Sequence, residues 1–175
     1  MKHIRYHDKQ GSVISVYPPM DYLTNGPWIY MVPQFKPESV LMLGYGGGTV
    51  AGLIRLLYGD IPITGVDIKP CENLYGVSLI QANAKDYIKS CPHFDVCIVD
   101  LFSNDSNPSD FIFSEEFVSA LSKICNYIII NITSEMDMSI YKNRFHRYGS
   151  NTPNRLSNRI YYFGTKEIVP DPILR

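Results

Sequence analysis

The sequence reads as an α/β domain wound around one mostly parallel sheet. Five short apolar runs of strand length alternate with segments of helical periodicity, one of these runs empties into a cluster of glycines, and the last strand-like stretch has no helix after it. Strands that are apolar throughout are buried on both faces, the condition of a parallel sheet covered by helices. The alternation of β and α segments supplies the crossovers that such a sheet needs.

Residues 11–17 (GSVISVY) are β-branched and partly alternating, and Pro18-Pro19 stops them, so one strand or a small hairpin precedes the main fold. Pro27, Pro33 and Pro37 punctuate the approach to residue 38. This places a short N-terminal β segment and linker at 1–37 and the main domain at 38–175. Within the latter, strands are expected at Val40–Leu43, Ile63–Val66, Val77–Ile80, Val96–Val99 and Tyr127–Ile130. Val50–Tyr58 and Phe117–Ile124 repeat apolar residues at helical spacing, and Ser114-Glu115-Glu116 offers the second helix an N-cap and acids suited to its dipole. Met136–Phe145 has room for another helix. Asn158–Gly164 (NRIYYFG) is aromatic and β-branched, and the polar loop 149–157 separates it from Arg144–Tyr148, so these two segments are expected to close the sheet as an antiparallel pair.

Composition excludes several classes of protein. A chain of 175 residues buries about 70% of its unfolded surface without disulfides or a structural metal. Aromatic content of 13% argues against disorder, and 16 basic against 17 acidic side chains argue against a basic nucleic-acid module. No apolar run approaches the roughly 18 residues of a membrane span, and the N-terminus lacks a signal-peptide core, so a cytoplasmic protein is expected. Cys71, Cys91, Cys97 and Cys125 form no CxxC pair and read as structural thiols. His3 and His7 stand at the i, i+4 spacing of helical ligands but lack a third ligand at a motif spacing, so no metal site is expected.

The most informative stretch is Leu41–Thr49, LMLGYGGGT, an apolar strand running into four glycines within five positions and then a helix. Glycine there permits positive φ and lets the backbone approach a ligand closely. Asp67 closes the second strand 23 positions after Gly44, a distance at which a strand-end acid accepts hydrogen bonds from ribose hydroxyls. The dinucleotide fingerprint GxGxxG needs glycine where Thr49 stands, which disfavours a nicotinamide-dependent oxidoreductase. Gly44, Gly46 and Gly48 give instead a GxGxG spacing, similar to the first motif of class I S-adenosylmethionine-dependent methyltransferases.

Over roughly residues 22–131 the chain resembles the spermidine-synthase-like branch of that Rossmann-like fold, on four fragments in register: VLMLGYGGGTV, GVDIKP, FDVCIVDLFSND and FIFSEEFVSAL. The resemblance implies that Gly44, Tyr45, Gly46 and Gly48 line S-adenosylmethionine (or its decarboxylated form), that Asp67 holds the ribose with Ile68 beside it, and that Asn83 and Ala84 lie at the adenine. It also implies that Asp100, at the end of the fourth strand, borders the cofactor and binds or deprotonates the acceptor. Ser103 stands where aminopropyltransferases of this family carry a second aspartate, with Asp105 two residues later. Gly47 stands where they usually carry an acid in the loop, and their larger N-terminal β-domain is reduced here to about forty residues.

The expected activity is therefore transfer of an alkyl group from a sulfonium to a small molecule, methyl ahead of aminopropyl, with Asp100 or Asp105 as proton acceptor. Tyr22 and Tyr45 are candidates to face a cationic acceptor, although packing is the ordinary role of a tyrosine in a chain with 13 of them. Trp28 reads as a core or interface anchor, and Arg144, Arg147, Arg155 and Arg159 as a solvated basic face. Only ten positions separate Asp67 from Val77, barely a crossover. A covering helix is expected to be missing there, leaving a wall that a second copy of the chain, as a homodimer, could close. A catalytically inert nucleoside-binding or assembly module is the alternative from another class.

Overall fold

The computed structural model describes residues 4–7, 11, 13–17, 26–103, 107–133, 136–151 and 158–165. Strands β1 (Ile4–His7) and β2 (Val13–Tyr17) pair antiparallel as a separate two-stranded sheet; of the single strand or small hairpin expected at 11–17, one strand forms there and its partner precedes it. His7 thus lies on a strand, where i, i+4 neighbours do not share a helical face, and His3 lies outside the described residues.

The main sheet has seven strands: β3 (Val40–Leu43), β4 (Ile63–Asp67), β5 (Ser78–Gln81), β6 (Phe94–Val99), β7 (Cys125–Thr133), β8 (His146–Asn151) and β9 (Asn158–Gly164). Their order is β5-β4-β3-β6-β7-β9-β8. The first five are mutually parallel, and β9 runs antiparallel to both β7 and β8. From β3 the chain winds outward through β4 to β5, then returns to β6 on the other side of β3. That reversal leaves a crevice at the carboxyl ends of β3 and β6, where open α/β sheets bind ligands.

Alternation along each strand divides the core in two. Leu41 and Leu43 of β3, Cys97 and Val99 of β6, and Tyr161 and Phe163 of β9 face one side. Val40 and Met42, Val96 and Ile98, and Ile160 and Tyr162 face the other. The first side is covered by α2 (Ala84–Tyr87), α3 (Glu115–Ile124) and α4 (Ser139–Arg144), the second by α1 (Thr49–Tyr58) and a 3-10 segment, Pro27–Met31. Trp28, Met31 and Val32 are buried beside α1. The Tyr58 hydroxyl donates to Pro33 O at 2.6 Å and the Tyr162 hydroxyl to Tyr30 O at 2.5 Å. Residues 27–33, on the linker side of the expected boundary, therefore pack as part of the main domain's core.

Three boundaries differ from expectation by three residues. α4 begins only at Ser139, because the Asp137 carboxylate accepts from both the Ser139 N–H and its hydroxyl, each at 2.9 Å, and closes the preceding turn. β7 continues past Ile130 to Thr133, drawn out by antiparallel pairing with β9 from Tyr127↔Gly164 to Thr133↔Asn158. β8 extends to Asn151, into the segment expected to be loop, by its own pairing with β9. α3 starts as expected, the Ser114 hydroxyl accepting from the Phe117 N–H at 3.3 Å.

No helix joins β4 to β5, as the short spacing requires. Arg55 of α1 holds the bare connection instead. Its Nε donates to Tyr75 O at 3.3 Å, Nη2 to Gly76 O at 3.2 Å and Nη1 to Ile61 O at 2.5 Å. Its ion pair with Asp60 adds little, since that carboxylate is 98% exposed. Arg55→Ala frees four carbonyls from one charged donor, that of Gly59 included, and is expected to cost about 2 kcal/mol, lowering Tm by about 4–8 °C in a scanning calorimeter. Asp60→Ala is expected to change Tm by less than about 2 °C.

Both buried thiols, Cys97 and Cys125, lie in the core, and all four cysteines are free. Among the described residues no helix is long and apolar enough to cross a membrane.

Candidate functional site at the carboxyl ends of β3, β4 and β6

The β3–α1 turn places Gly44, Gly46 and Gly48 at φ of 87°, 56° and 75°, conformations that a side chain would strain. The three glycines answer to different neighbours. A Cβ on Gly44 would stand 2.1 Å from the backbone oxygen of Asp100, and one on Gly48 would stand 2.3 Å from the Tyr45 hydroxyl. These two are glycine because the protein itself fills the space. A Cβ on Gly46 would meet nothing within 4 Å, and Gly46 is exposed, so here the bare backbone opens outward to a ligand.

Gly44→Ala is expected to destabilise the fold by about 2–3 kcal/mol through collision with a backbone carbonyl at positive φ. Gly46→Ala is expected to cost about 1 kcal/mol of conformational strain alone. Urea midpoints of the two variants check the difference.

Tyr45 does not offer its ring to the crevice. It is 3% exposed and packs on the α1 side of the sheet, wedged between Gly48 and Gly65, where a Cβ on Gly65 would stand 2.4 Å from its ring. Of the two roles open to this tyrosine, packing is the one seen: the glycines at 48 and 65 make room for the ring indoors.

Asp67 ends β4 beside the turn. Its Oδ2 accepts from the Gly46 N–H at 2.9 Å and its Oδ1 from the Lys69 N–H at 2.9 Å. An ionised carboxylate has about four lone-pair sites, so two remain for ligand hydroxyls. Ile68 is 65% exposed, an apolar side chain held out next to that carboxylate.

Asn83 and Ala84 follow β5 at the start of α2. The Asn83 Oδ1 accepts from the Lys85 N–H at 2.9 Å, so this oxygen caps the helix and its Nδ2 is the group left for a ligand. Ala84 is 5% exposed and belongs to the core beneath α3. It makes room inside the fold.

Asp100 follows β6 on the opposite flank of Gly44, its own N–H donating to Leu43 O at 2.8 Å. The residue is half-buried. Burial pushes the carboxyl up to about 6, the Asn131 amide opposes this by hydrogen bonding, and the charge of Asp67 adds to the rise. Asn131 Nδ2 donates to Asp100 Oδ1 at 2.8 Å, and Asn158 Nδ2 donates to Asn131 Oδ1 at 2.9 Å. Neither asparagine was expected at the site. The available signal was a polar residue, Asn131, amid the apolar run YIIINI, one step beyond the position that pairs with Val99.

After Asp100 the chain folds back on itself through the Phe102↔Pro108 bridge, with the Ser103 N–H and hydroxyl donating to Asn107 O at 2.8 and 2.9 Å. Asp105, Tyr22 and Arg155 lie outside the described residues. Arg144 pairs with Glu115, and Arg147 lies over the Tyr161 ring at 5.4 Å and donates to Ser150 Oγ.

Comparison with known proteins gives no matching family model and no matching curated sequence. Solved structures match over most of the chain. Human methyltransferase-like protein 13 in complex with SAH is 19% identical at a TM-score of 0.64, with 85% of this chain and 79% of that one covered. A probable spermidine synthase from Corynebacterium glutamicum is 15% identical at 0.67, covering 95% and 78%. The N-methyltransferase NodS from Bradyrhizobium japonicum is 8% identical at 0.59, covering 86% and 98%. The chain thus has the class I methyltransferase fold, with the likeness to a spermidine synthase that its motifs suggest.

Proposed function

We infer that this protein is an S-adenosylmethionine-dependent transferase that moves a methyl group to a small-molecule acceptor. The observation that carries the reading is the Asp67 carboxylate fastened to the Gly46 N–H, a ribose acceptor set over the one of Gly44, Gly46 and Gly48 that opens outward. The cradle fits an adenosyl ligand: Asp67 takes the ribose hydroxyls, Ile68 covers an apolar face of the base, Asn83 Nδ2 donates to a ring nitrogen, and Gly46 admits the sulfonium portion. When bound, the cofactor supplies an electrophilic carbon on a sulfonium. The acceleration then comes from holding the acceptor in line with that carbon.

Asp100 receives the acceptor's proton. A carboxyl near 6 is mostly ionised at neutral pH yet basic enough to take a proton from a bound nucleophile. Likeness to a spermidine synthase supports a second reading, aminopropyl transfer from the decarboxylated cofactor, with the same residues in the same roles.

Thermal shift with S-adenosylmethionine, S-adenosylhomocysteine, decarboxylated S-adenosylmethionine and NAD separates the readings. A rise in Tm with the first two is the expected result. A rise with the decarboxylated donor alone selects aminopropyl transfer, a rise with NAD alone overturns both, and no rise with any points to an inert module.

A further inference from the structure

We propose that Asn131 is a positioning residue for Asp100, and that Asn158 fixes Asn131 in the one orientation able to do this. The proposal rests on the reading of Asp100 as the proton acceptor and adds the device that prepares it.

The sheet builds the relay. Val99 pairs with Ile130 across β6 and β7, so the next residues, Asp100 and Asn131, lie side by side at the carboxyl edge of the sheet. β9 is inserted antiparallel on the far side of β7 and brings Asn158 level with Thr133, within reach of Asn131. A carboxylate can only accept, so Asn131 must turn its NH2 toward Asp100. Left alone, the amide could rotate by half a turn and set its oxygen against that carboxylate. Asn158 prevents this by donating to the Asn131 oxygen. Asn131 is 4% exposed, so water does not substitute for either partner.

Two consequences follow for Asp100. Its Oδ1 is fixed within the sheet, while Oδ2 accepts no hydrogen bond from the described residues and is the atom left to take a proton. The neighbours that set its charge are also defined: β3 presents the backbone at Gly44, β4 presents the like charge of Asp67, and β7 presents the Asn131 amide as the opposing influence. One neutral hydrogen bond therefore keeps a buried carboxyl usable near neutral pH.

The test is a pH titration of the Asp100 side-chain carbon by NMR on protein labelled with 13C-aspartate, in the wild type, Asn131→Leu and Asn158→Leu. Asn158→Leu leaves the buried Asn131 in place and guards against the chance that Asn131→Leu does not fold. The expected result is an Asp100 midpoint raised by about one pH unit in Asn131→Leu and by less, in the same direction, in Asn158→Leu. Asn131→Ser, which retains a donor, is expected to restore part of the shift. Midpoints equal to wild type in folded variants overturn the proposal. Thermal shift with S-adenosylhomocysteine on the same samples reads the transferase function separately, so absence of binding sinks that reading while the titration still decides this one.

Discussion

Asp100→Asn is expected to lower kcat for methyl transfer by about 10²–10⁴-fold with no loss of Tm at pH 7.5. The amide oxygen still accepts from Asn131 Nδ2, so the loop keeps its shape and only the proton acceptor is removed. The wild-type rate should fall tenfold per pH unit below about 6, because burial has raised the carboxyl to that value and the protonated form cannot take a second proton. Stability moves the opposite way. The folded state binds the Asp100 proton more tightly than the unfolded chain does, so between pH 4 and 6 stability falls as pH rises, and above about 6 the full cost of a buried charge is present. Replacing the carboxylate relieves that cost, so Tm at pH 7.5 should hold or rise while turnover collapses. A parallel loss of both would mark Asp100 as a structural residue. Initial rates across pH 5–8 and calorimetry at pH 7.5 provide the two readouts.

The parts of the site legible in the sequence are those fixed locally. A strand running into glycines, an acid ending the next strand and another ending the fourth are positions along the chain, and β3, β4 and β6 deliver them to one crevice edge. What the sequence withheld depends on contacts between distant segments. That a Cβ on Gly44 or Gly48 would meet the Asp100 carbonyl or the Tyr45 hydroxyl is such a contact. The direction of the Tyr45 ring follows from the space left by Gly65 on β4, which spacing does not reveal. Asn83 lies two residues past β5, and its position at the N-cap of α2 makes its oxygen a cap. The Asn131–Asn158 pair required the register of β7 on both neighbours, and in particular the insertion of β9 between β7 and β8. The missing β4–β5 helix could be read from length alone, whereas the Arg55 guanidinium that replaces its support could not.

Asp67→Ala is expected to weaken binding of S-adenosylhomocysteine by about 10²–10⁴-fold, which isothermal titration calorimetry measures directly. Each ribose hydroxyl donating to an ionised carboxylate is worth about 1.5–3 kcal/mol, and Asp67 has lone pairs for two of them beyond those given to Gly46 and Lys69. The substitution also releases the Gly46 N–H, so part of the loss would come from a turn no longer held open. Asp67→Asn separates the two effects. Its amide oxygen can still accept from Gly46 and keep the turn, but it lacks the charge and presents NH2 where the second oxygen stood, so affinity should fall by an intermediate factor of about 10–10². If Asn binds as weakly as Ala, the charge toward the ribose dominates and the turn is rigid by itself. If Asn binds as tightly as wild type, the carboxylate serves only to shape the glycine turn, and the ribose must be held elsewhere along the carboxyl edge of the sheet.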